Sequence, residues 1–488
     1  MAQESQRLVE AYQQTIRELV TTVFAASGSA RDIQAAVNQV IAISPNGTGK
    51  VLIPEGDFDF IEVNEAWFRV NIPAGISVFG APTDRNPNTG QVTLWRTTIK
   101  VPYDVSGEMF RFYGSRDLYK PSRLSDLNLR GWRAFDTSQT SGNTGQSITI
   151  DHVANFRIDH CNLDNFGASN GINCYQSCGV IDHCKLWNDF GLPEPYPGTV
   201  GYGVMVMGDS TWDDNIYNVV GQYTLNTVFI EDCYFRRWRH CVASNDGGHY
   251  VFRHSTIDED FGYGSLDAHG TFNIVSTRAI EVYDNYFGTV PQDEYGQSLI
   301  FWRGGGGVCF NNTFGPYETS YHWIHFFDEG AVEKCWLHNV YIWRGSGNRD
   351  LGIYRASGNA TEGEDYFLYP MPNYTPYQYP HPLTLEALVT HTTPWTDILS
   401  EGTYKITTPA QFTDTEGKVW YFKYWSDDHA NTNPVRTIAL LSDMSIIAVY
   451  ELTPIPPSIS LVKVAAVIAA ITVPVGGTAL YMKDKRWG

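Results

Sequence analysis

The sequence predicts an all-β fold of stacked parallel coils, and two observations carry that expectation. One phrase recurs seven times between Cys161 and Asn339: an apolar residue, two positions, a small polar residue or Cys, one position, and a second apolar residue. The small position is Cys161, Cys184, Cys233, Ser255, Asn285, Asn312 and Asn339. Ile158, Ile181, Ile230, Phe252, Val282, Cys309 and Trp336 precede it by three, and Leu163, Leu186, Phe235, Ile257, Phe287, Phe314 and Tyr341 follow it by two. The second observation is the spacing. Intervals of 23, 49, 22, 30, 27 and 27 residues fit coils of about 22 residues that carry insertions of unequal length. Stacked at the ~4.8 Å strand spacing, like side chains pile into internal ladders, where Asn bonds to amides above and below and Cys packs as a small apolar group.

The segments FRIDHCNLDNF, GVIDHCKLWN, VFIEDCYFRRW, AIEVYDNYFG and GVCFNNTFG resemble the right-handed parallel β-helix of the pectin lyase-like superfamily, over roughly residues 30 to 345. DIQAAVNQV at 32–40 and KVLIPEGDF at 50–58 resemble the helical cap and first strand that open such domains, and GISVFGAP at 75–82 resembles a next turn. The resemblance implies a β-helix over 31–345 and a polysaccharide or other glycan as partner. It also implies two chemistries. Lyases of this fold eliminate across a uronate whose carboxylate is neutralised by Ca²⁺ or Arg, and its hydrolases use paired carboxylates. The chain presents neither a calcium triad in register nor outward Asp or Glu pairs on adjacent rungs, so binding protein and depolymerase both stay open. Trimeric viral tailspikes share the fold, which makes a homotrimer one expected assembly.

Composition narrows the field. With 43% apolar and 14% aromatic residues in 488, the chain folds. A formal charge of −19 without a basic stripe excludes nucleic acid as partner, and a polyanionic glycan would need local help from Arg, Lys or a cation. The eight Cys lie between 161 and 335, four of them in the aligned columns, which predicts buried thiols rather than a disulfide framework. Cys174 and Cys178 are spaced C-x3-C, but no His pair accompanies them at ligand spacing, so no metal site is assigned. Asp258, Glu259 and Asp260 form an acidic turn whose alternatives are a Ca²⁺ ligand set and an ordinary solvated turn.

Outside the coils, residues 3–25 have the periodicity of an amphipathic helix within an N-terminal segment 1–30. Residues 346–394, rich in Gly, Tyr and Pro, read as a connection, and 395–452 as a small β module. The run YFKYWSDDHANTNPVRTIALLSDMSIIAVYE is similar to the internalin B type of β-repeat, which implies a spacer or adhesive module. A linker at 453–460 leads to 461–488. There Val464–Met482 is uncharged over 19 residues and is followed by Lys483, Asp484, Lys485 and Arg486. That predicts a membrane anchor with a basic tail, the alternative being an apolar strand pair with a Pro-Val-Gly-Gly turn. No signal peptide is recognisable, although display outside a cell or on a virion is the expected setting.

Alternation along GINCYQ, GVMVMG, CVASND, SLDAHG, LIFWRG and WIHFFD turns one set of side chains inward and leaves Asn245, Asp267, His269, Arg303 and His325 outward on neighbouring rungs. Asp267, His269 and Arg303 are the candidate catalytic group: His titrates near neutrality, Asp orients it or takes a proton, and Arg grips a carboxylate in two places. Asn245, His325, Phe301, Phe327 and Tyr175 are the candidate substrate-binding residues. The alternative for the central trio is a structural salt-bridged network beside the Gly-rich stretch 304–307.

Overall fold

In the computed structural model the apolar columns stand in register. The structure describes residues 21–384 except 45–46, 62–68, 87–89, 101–107, 115, 118–119, 132–146, 165, 167–169, 189–200, 210–218, 260–263, 271–274, 290–297, 316–322, 328–336, 344–353 and 358–359. Beyond 384 it describes the backbone of several strands. The chain divides into two compact units, residues 1–384 and 385–488.

The first unit is a parallel β-helix. Three parallel sheets of twelve, nine and ten strands are visited in turn by each coil, so that Ala154–Asp159 lies in the first, Asn162–Asp164 in the second and Ile172–Tyr175 in the third. In the first sheet Leu124, Ile158, Ile181, Ile230, Phe252, Val282 and Cys309 follow one another rung by rung. Leu129, Leu163, Leu186, Phe235, Ile257 and Phe287 do so in the second. In the third the row is Ile148, Ile172, Val204, Val242, Leu266, Ile300 and Ile324. All of these are buried, each aliphatic contributing about 1.5–3 kcal/mol on leaving water.

Between the first and second sheets the chain turns within two residues, and the small column occupies that corner. Cys161, Cys184 and Cys233 direct their thiols to the carbonyls of Leu124, Ile158 and Ile181 on the rungs below. Asn285 donates to Phe252 O at 2.9 Å and accepts from the Ser255 N–H at 2.9 Å, while Asn312 donates to Val282 O and accepts from the Asn285 N–H. The residue just before each rung of this ladder is left-handed, with φ from 49° to 62°: Asp126, His160, His183, Asp232, His254, Asp284 and Asn311. Those are the side chains that tolerate this backbone best after glycine. The described cysteines, Cys161, Cys174, Cys178, Cys184, Cys233, Cys241 and Cys309, are all buried.

A helix, Ala30–Ile43, opens the unit with Ser29 as its N-cap, its side chain accepting from the Asp32 N–H; Ile33, Val37 and Val40 are its buried face. Gly307, in the stretch 304–307, has φ near 150°, and a Cβ there would meet the Ile280 carbonyl and stand 2.6 Å from the buried Trp302 ring. It makes room for Trp302 on the next wall.

The structure corrects the sequence reading in four places. Cys309 is stacked on Ile342, not on Trp336, which lies outside the described residues; the strand Val340–Trp343 alternates from Val340, and Asn339 is a half-buried turn residue with φ 56°. The helix expected over 3–25 is not continued at Thr21–Phe24, a β-branched strand paired with Gly49–Leu52; residues 1–20 lie outside the described residues. The connection drawn at 346–394 instead supplies further rungs, Tyr354–Ser357 to the third sheet and Tyr366–Phe367 to the first, and then a strap on the first sheet.

The fourth correction concerns the membrane span. In the second unit Val467–Val473 is a strand, antiparallel to Met444–Leu452 and parallel to Trp395–Thr396, where a helical span was expected; the Pro-Val-Gly-Gly turn of the strand-pair alternative, at 474–477, lies outside the described residues. The strand's Val, Ile and Thr residues suit a pleated surface. Among the described residues no helix is long and apolar enough to cross a membrane. The same unit pairs Gly402–Thr407 with Val435–Leu440, and Val419–Trp425 with both Gln411–Thr413 and Met444–Leu452, all antiparallel.

The strap covers the outer face of the first sheet, where Val180, Phe229, Val251 and Val308 form a second apolar layer with Leu383, Tyr374 and Tyr377. Charges are sealed beneath it. Arg253 bonds Glu231 at 2.8 Å and the strap carbonyls of Tyr377 and Gln378 at 3.0 and 2.8 Å. Glu281 accepts from the Tyr374 hydroxyl at 2.6 Å and the Tyr377 hydroxyl at 3.2 Å, and Glu231 from the His381 N–H at 2.8 Å.

Candidate functional site

Strands Leu266–Ala268, Ile300–Trp302 and Ile324–Phe327 are adjacent in the third sheet, and their alternation decides which side chains leave the core. Leu266, Ala268, Ile300, Trp302, Ile324 and Phe326 point inward and are buried. Asp267, Phe301 and His325 are cross-strand neighbours on the outer face. The stacking continues one residue beyond the strands, because the His269 N–H donates to Ser244 O at 3.0 Å and the Arg303 N–H to Ala268 O at 2.9 Å. Asn245, His269 and Arg303 therefore form a second outer column.

Asp267, His269 and Arg303 meet as the sequence predicts. Arg303 donates in two places to Asp267, Nε to Oδ1 at 2.9 Å and Nη2 to Oδ2 at 2.5 Å, and also meets His269 Nδ1. His269 Nδ1 lies 3.3 Å from Asp267 Oδ2, and His240, which the sequence reading missed, approaches the same oxygen from the preceding rung at 3.8 Å. Asp267 is only 1% exposed and Arg303 9%. Burial alone would raise the Asp267 pKa, but Arg303, His240 and the bond from His269 together hold the carboxyl well below its usual range. Burial pushes His240 down to about 4 despite the pull of Asp267, and its Nδ1 is tied to Gly264 O at 2.5 Å. The pair is thus mutually neutralised. Arg303 has its fork closed on Asp267, so the role drawn for it, holding a substrate carboxylate, is already filled from within the chain.

The aromatic neighbours are arranged for contact. Phe301 and His325 stack with centroids 4.8 Å apart and planes 12° from parallel, Phe327 lies 6.1 Å from Phe301, and the Arg303 guanidinium sits 4.9 Å over the Phe301 ring. Phe301 and Phe327 are half-buried. Asn245 is 5% exposed, and its Oδ1 has no partner among the described residues. Tyr175 is not brought to the group. Met207 and Asn245 stand between it and His269 in the same column, and four rungs put it about 19 Å from Arg303. The flank expected to be open is closed over its middle, since outward Thr149, Asn173, Met205, Ala243 and Asp267 are all buried.

Tyr175 belongs to a second polar group that the sequence reading did not assemble. Asp151, its cross-strand neighbour, accepts from Arg111 Nη2 at 2.6 Å and lies 2.6 Å from His152 Nδ1, with Glu108 bound to Arg69 at 2.7 Å beside them. Burial, then Glu108 and Asp151, raise the Tyr175 pKa, so it remains a phenol and a donor. The signal was available in the outward positions of EMFRFY and SITID, Arg111 and Asp151. Of the acidic turn, Asp258 accepts from the Tyr234 hydroxyl and Glu259 is held by Arg236 and Arg237, while Asp260 lies outside the described residues. Among the described residues no group of three His, Cys, Asp or Glu is placed to hold a metal ion.

The buried histidines set an acid limit. Above its unfolded pKa of about 6.5 a histidine is neutral in both states; below it the unfolded chain takes the proton first. His240, held to about 4, and His381, which burial lowers to about 3, therefore cost stability as pH falls from about 6.5 toward those values. Urea midpoints are expected to decline steadily from pH 7 to pH 4, with His240→Gln reducing the slope. A midpoint flat across that range would contradict this burial.

Fold and site together define a parallel β-helix with polar groups on its third sheet. No family model and no curated protein matches the chain. Among solved structures it is similar to the A-modules of two mannuronan C-5 epimerases of Azotobacter vinelandii. For AlgE4 the identity is 14% and the TM-score 0.32, covering 65% of this chain and 91% of that one. For AlgE6 the identity is 11% and the TM-score 0.31, covering 69% and 98%. The catalytic domain of a GH87 α-1,3-glucanase is similar at 10% identity and a TM-score of 0.22, covering 72% of this chain and 68% of that one. Scores this low carry no argument about substrate or reaction.

Proposed function

We propose that this chain binds complex polysaccharide, as an adhesin or receptor-binding protein displayed at a cell or virion surface. The observation that carries the reading is the aromatic step of the partly exposed Phe301 and Phe327 about the buried His325, beside the neutralised Asp267–Arg303 pair. Stacked rings with a polar rim suit the apolar face and hydroxyl edge of a sugar. A carboxylate and guanidinium that satisfy one another hold that step in place rather than move protons. Presented to a glycan array, the full chain is expected to retain polysaccharide and to lose most of that retention on Phe301→Ala. An array on which nothing is retained overturns the reading.

One observation favours the depolymerase alternative. The half-exposed group of Tyr175, Asp151, His152 and Arg111 combines a proton donor, a His–Asp pair and a cation. Under it, acidic glycans incubated with the chain yield unsaturated products or new reducing ends, and Tyr175→Phe abolishes them. Absence of both products leaves the binding reading alone.

A further inference from the structure

The three outer faces of the β-helix differ in what they offer. The first is covered by the strap, and the third is buried over its middle rungs. The second is open: Lys185, Trp187, Tyr234 and Thr256 are partly exposed, and Tyr286 is 43% exposed. Most charge on this face cancels. Arg236 donates to Glu259 at 2.7 Å, Lys100 to Asp57 at 3.1 Å, and Arg130 faces Asp164 at 3.5 Å. Lys185 differs. Among the described residues it has no carboxylate partner, and its Nζ stands 4.3 Å from the Trp187 centroid and 5.5 Å from that of Tyr234.

The rings are fixed before any ligand arrives. Trp187 Nε1 donates to Asn162 Oδ1 at 2.9 Å, Asn162 in turn donates to Asn128 at 2.8 Å, and the Tyr234 hydroxyl donates to Asp258 at 2.7 Å. Lys185, Tyr234, Thr256 and Tyr286 succeed one another across adjacent rungs, which spreads the surface over about 14 Å along the stacking direction. Preorganised rings lose little freedom on binding.

We infer that this second-sheet face binds a strand of acidic polysaccharide lying along the rungs, with Trp187, Tyr234 and Tyr286 under sugar faces and Lys185 on a uronate carboxylate. A cation framed by rings matches a polymer that offers sugar faces together with ring carboxylates. A phosphate polymer would call for a row of cations. The site stands on a different face from the Phe301 step and does not depend on it.

Calorimetric titration of the full chain with galacturonate oligosaccharides, and with the same oligosaccharides after carboxyl reduction, tests the assignment. Lys185→Gln is expected to weaken the acidic form about tenfold and leave the reduced form unchanged. Trp187→Ala should weaken both, and Tyr286→Ala, at a more exposed position, serves if Trp187→Ala does not fold. An acidic oligosaccharide that binds these variants as tightly as the parent, or does not bind the parent, overturns the inference. Loss of binding in Phe301→Ala, with Lys185→Gln unaffected, would place the glycan on the third sheet instead.

Discussion

Replacing Arg253 with Met is expected to destabilise the protein by about 3–5 kcal/mol, the range for leaving a buried charge without its partner. Arg253 and Glu231 are both fully buried, and Arg253 also binds the strap carbonyls of Tyr377 and Gln378. The substitution thus strands the Glu231 carboxylate and removes two anchors of the strap at once. Two readouts follow: a lower urea midpoint and faster proteolysis between residues 369 and 384. The double variant Glu231→Gln, Arg253→Met removes the stranded charge and is expected to recover much of the loss. A change below about 1 kcal/mol, the scale of an exposed ion pair, would mean that the strap does not seal this pair.

Asn285→Leu is the second large effect. The side chains are similar in volume, so the loss comes from hydrogen bonding. The Ser255 N–H, the Phe252 and Tyr283 carbonyls and Asn312 Oδ1 all lose a partner inside the corner. At about 1–3 kcal/mol for each buried group left unmet, partly relieved by relaxation, a total of roughly 3–6 kcal/mol is expected from the urea midpoint. Cys184→Ala, in the apolar part of the same ladder, should cost far less. Equal costs at the two positions would contradict a ladder whose rungs are joined by Asn side chains.

These two predictions mark what the sequence made legible. The ladder was visible because its residues repeat locally: Ile158, Cys161 and Leu163 lie within six positions, and alternation then assigned inward Leu266 and outward Asp267 correctly. The same locality misled at the last coil, where Asn339 and Tyr341 imitate the phrase while Ile342 takes the place stacked on Cys309. The strap was illegible for the opposite reason. Tyr374 meets Glu281 across 93 residues and His381 meets Glu231 across 150, distances over which no periodicity reports. A weaker sign existed: Val180, Phe229 and Val251 are apolar at outward positions of successive strands, and Val308 resumes the row beyond Glu281, as befits a face that something must cover. Proximity of Asp267, His269 and Arg303 was also readable, whereas their mutual neutralisation was not, since it depends on burial and on His240 from another rung.

All three outer faces, and so every ligand assignment, rest on the vertical registry of the coils. Anomalous scattering from sulfur in crystals of the full chain tests it most directly. The predicted result places the Sγ atoms of Cys161, Cys184 and Cys233 in one row at successive spacings of about 4.8 Å, at the corner between the first and second sheets. Sulfur positions dispersed through the unit, with no common row, would contradict it.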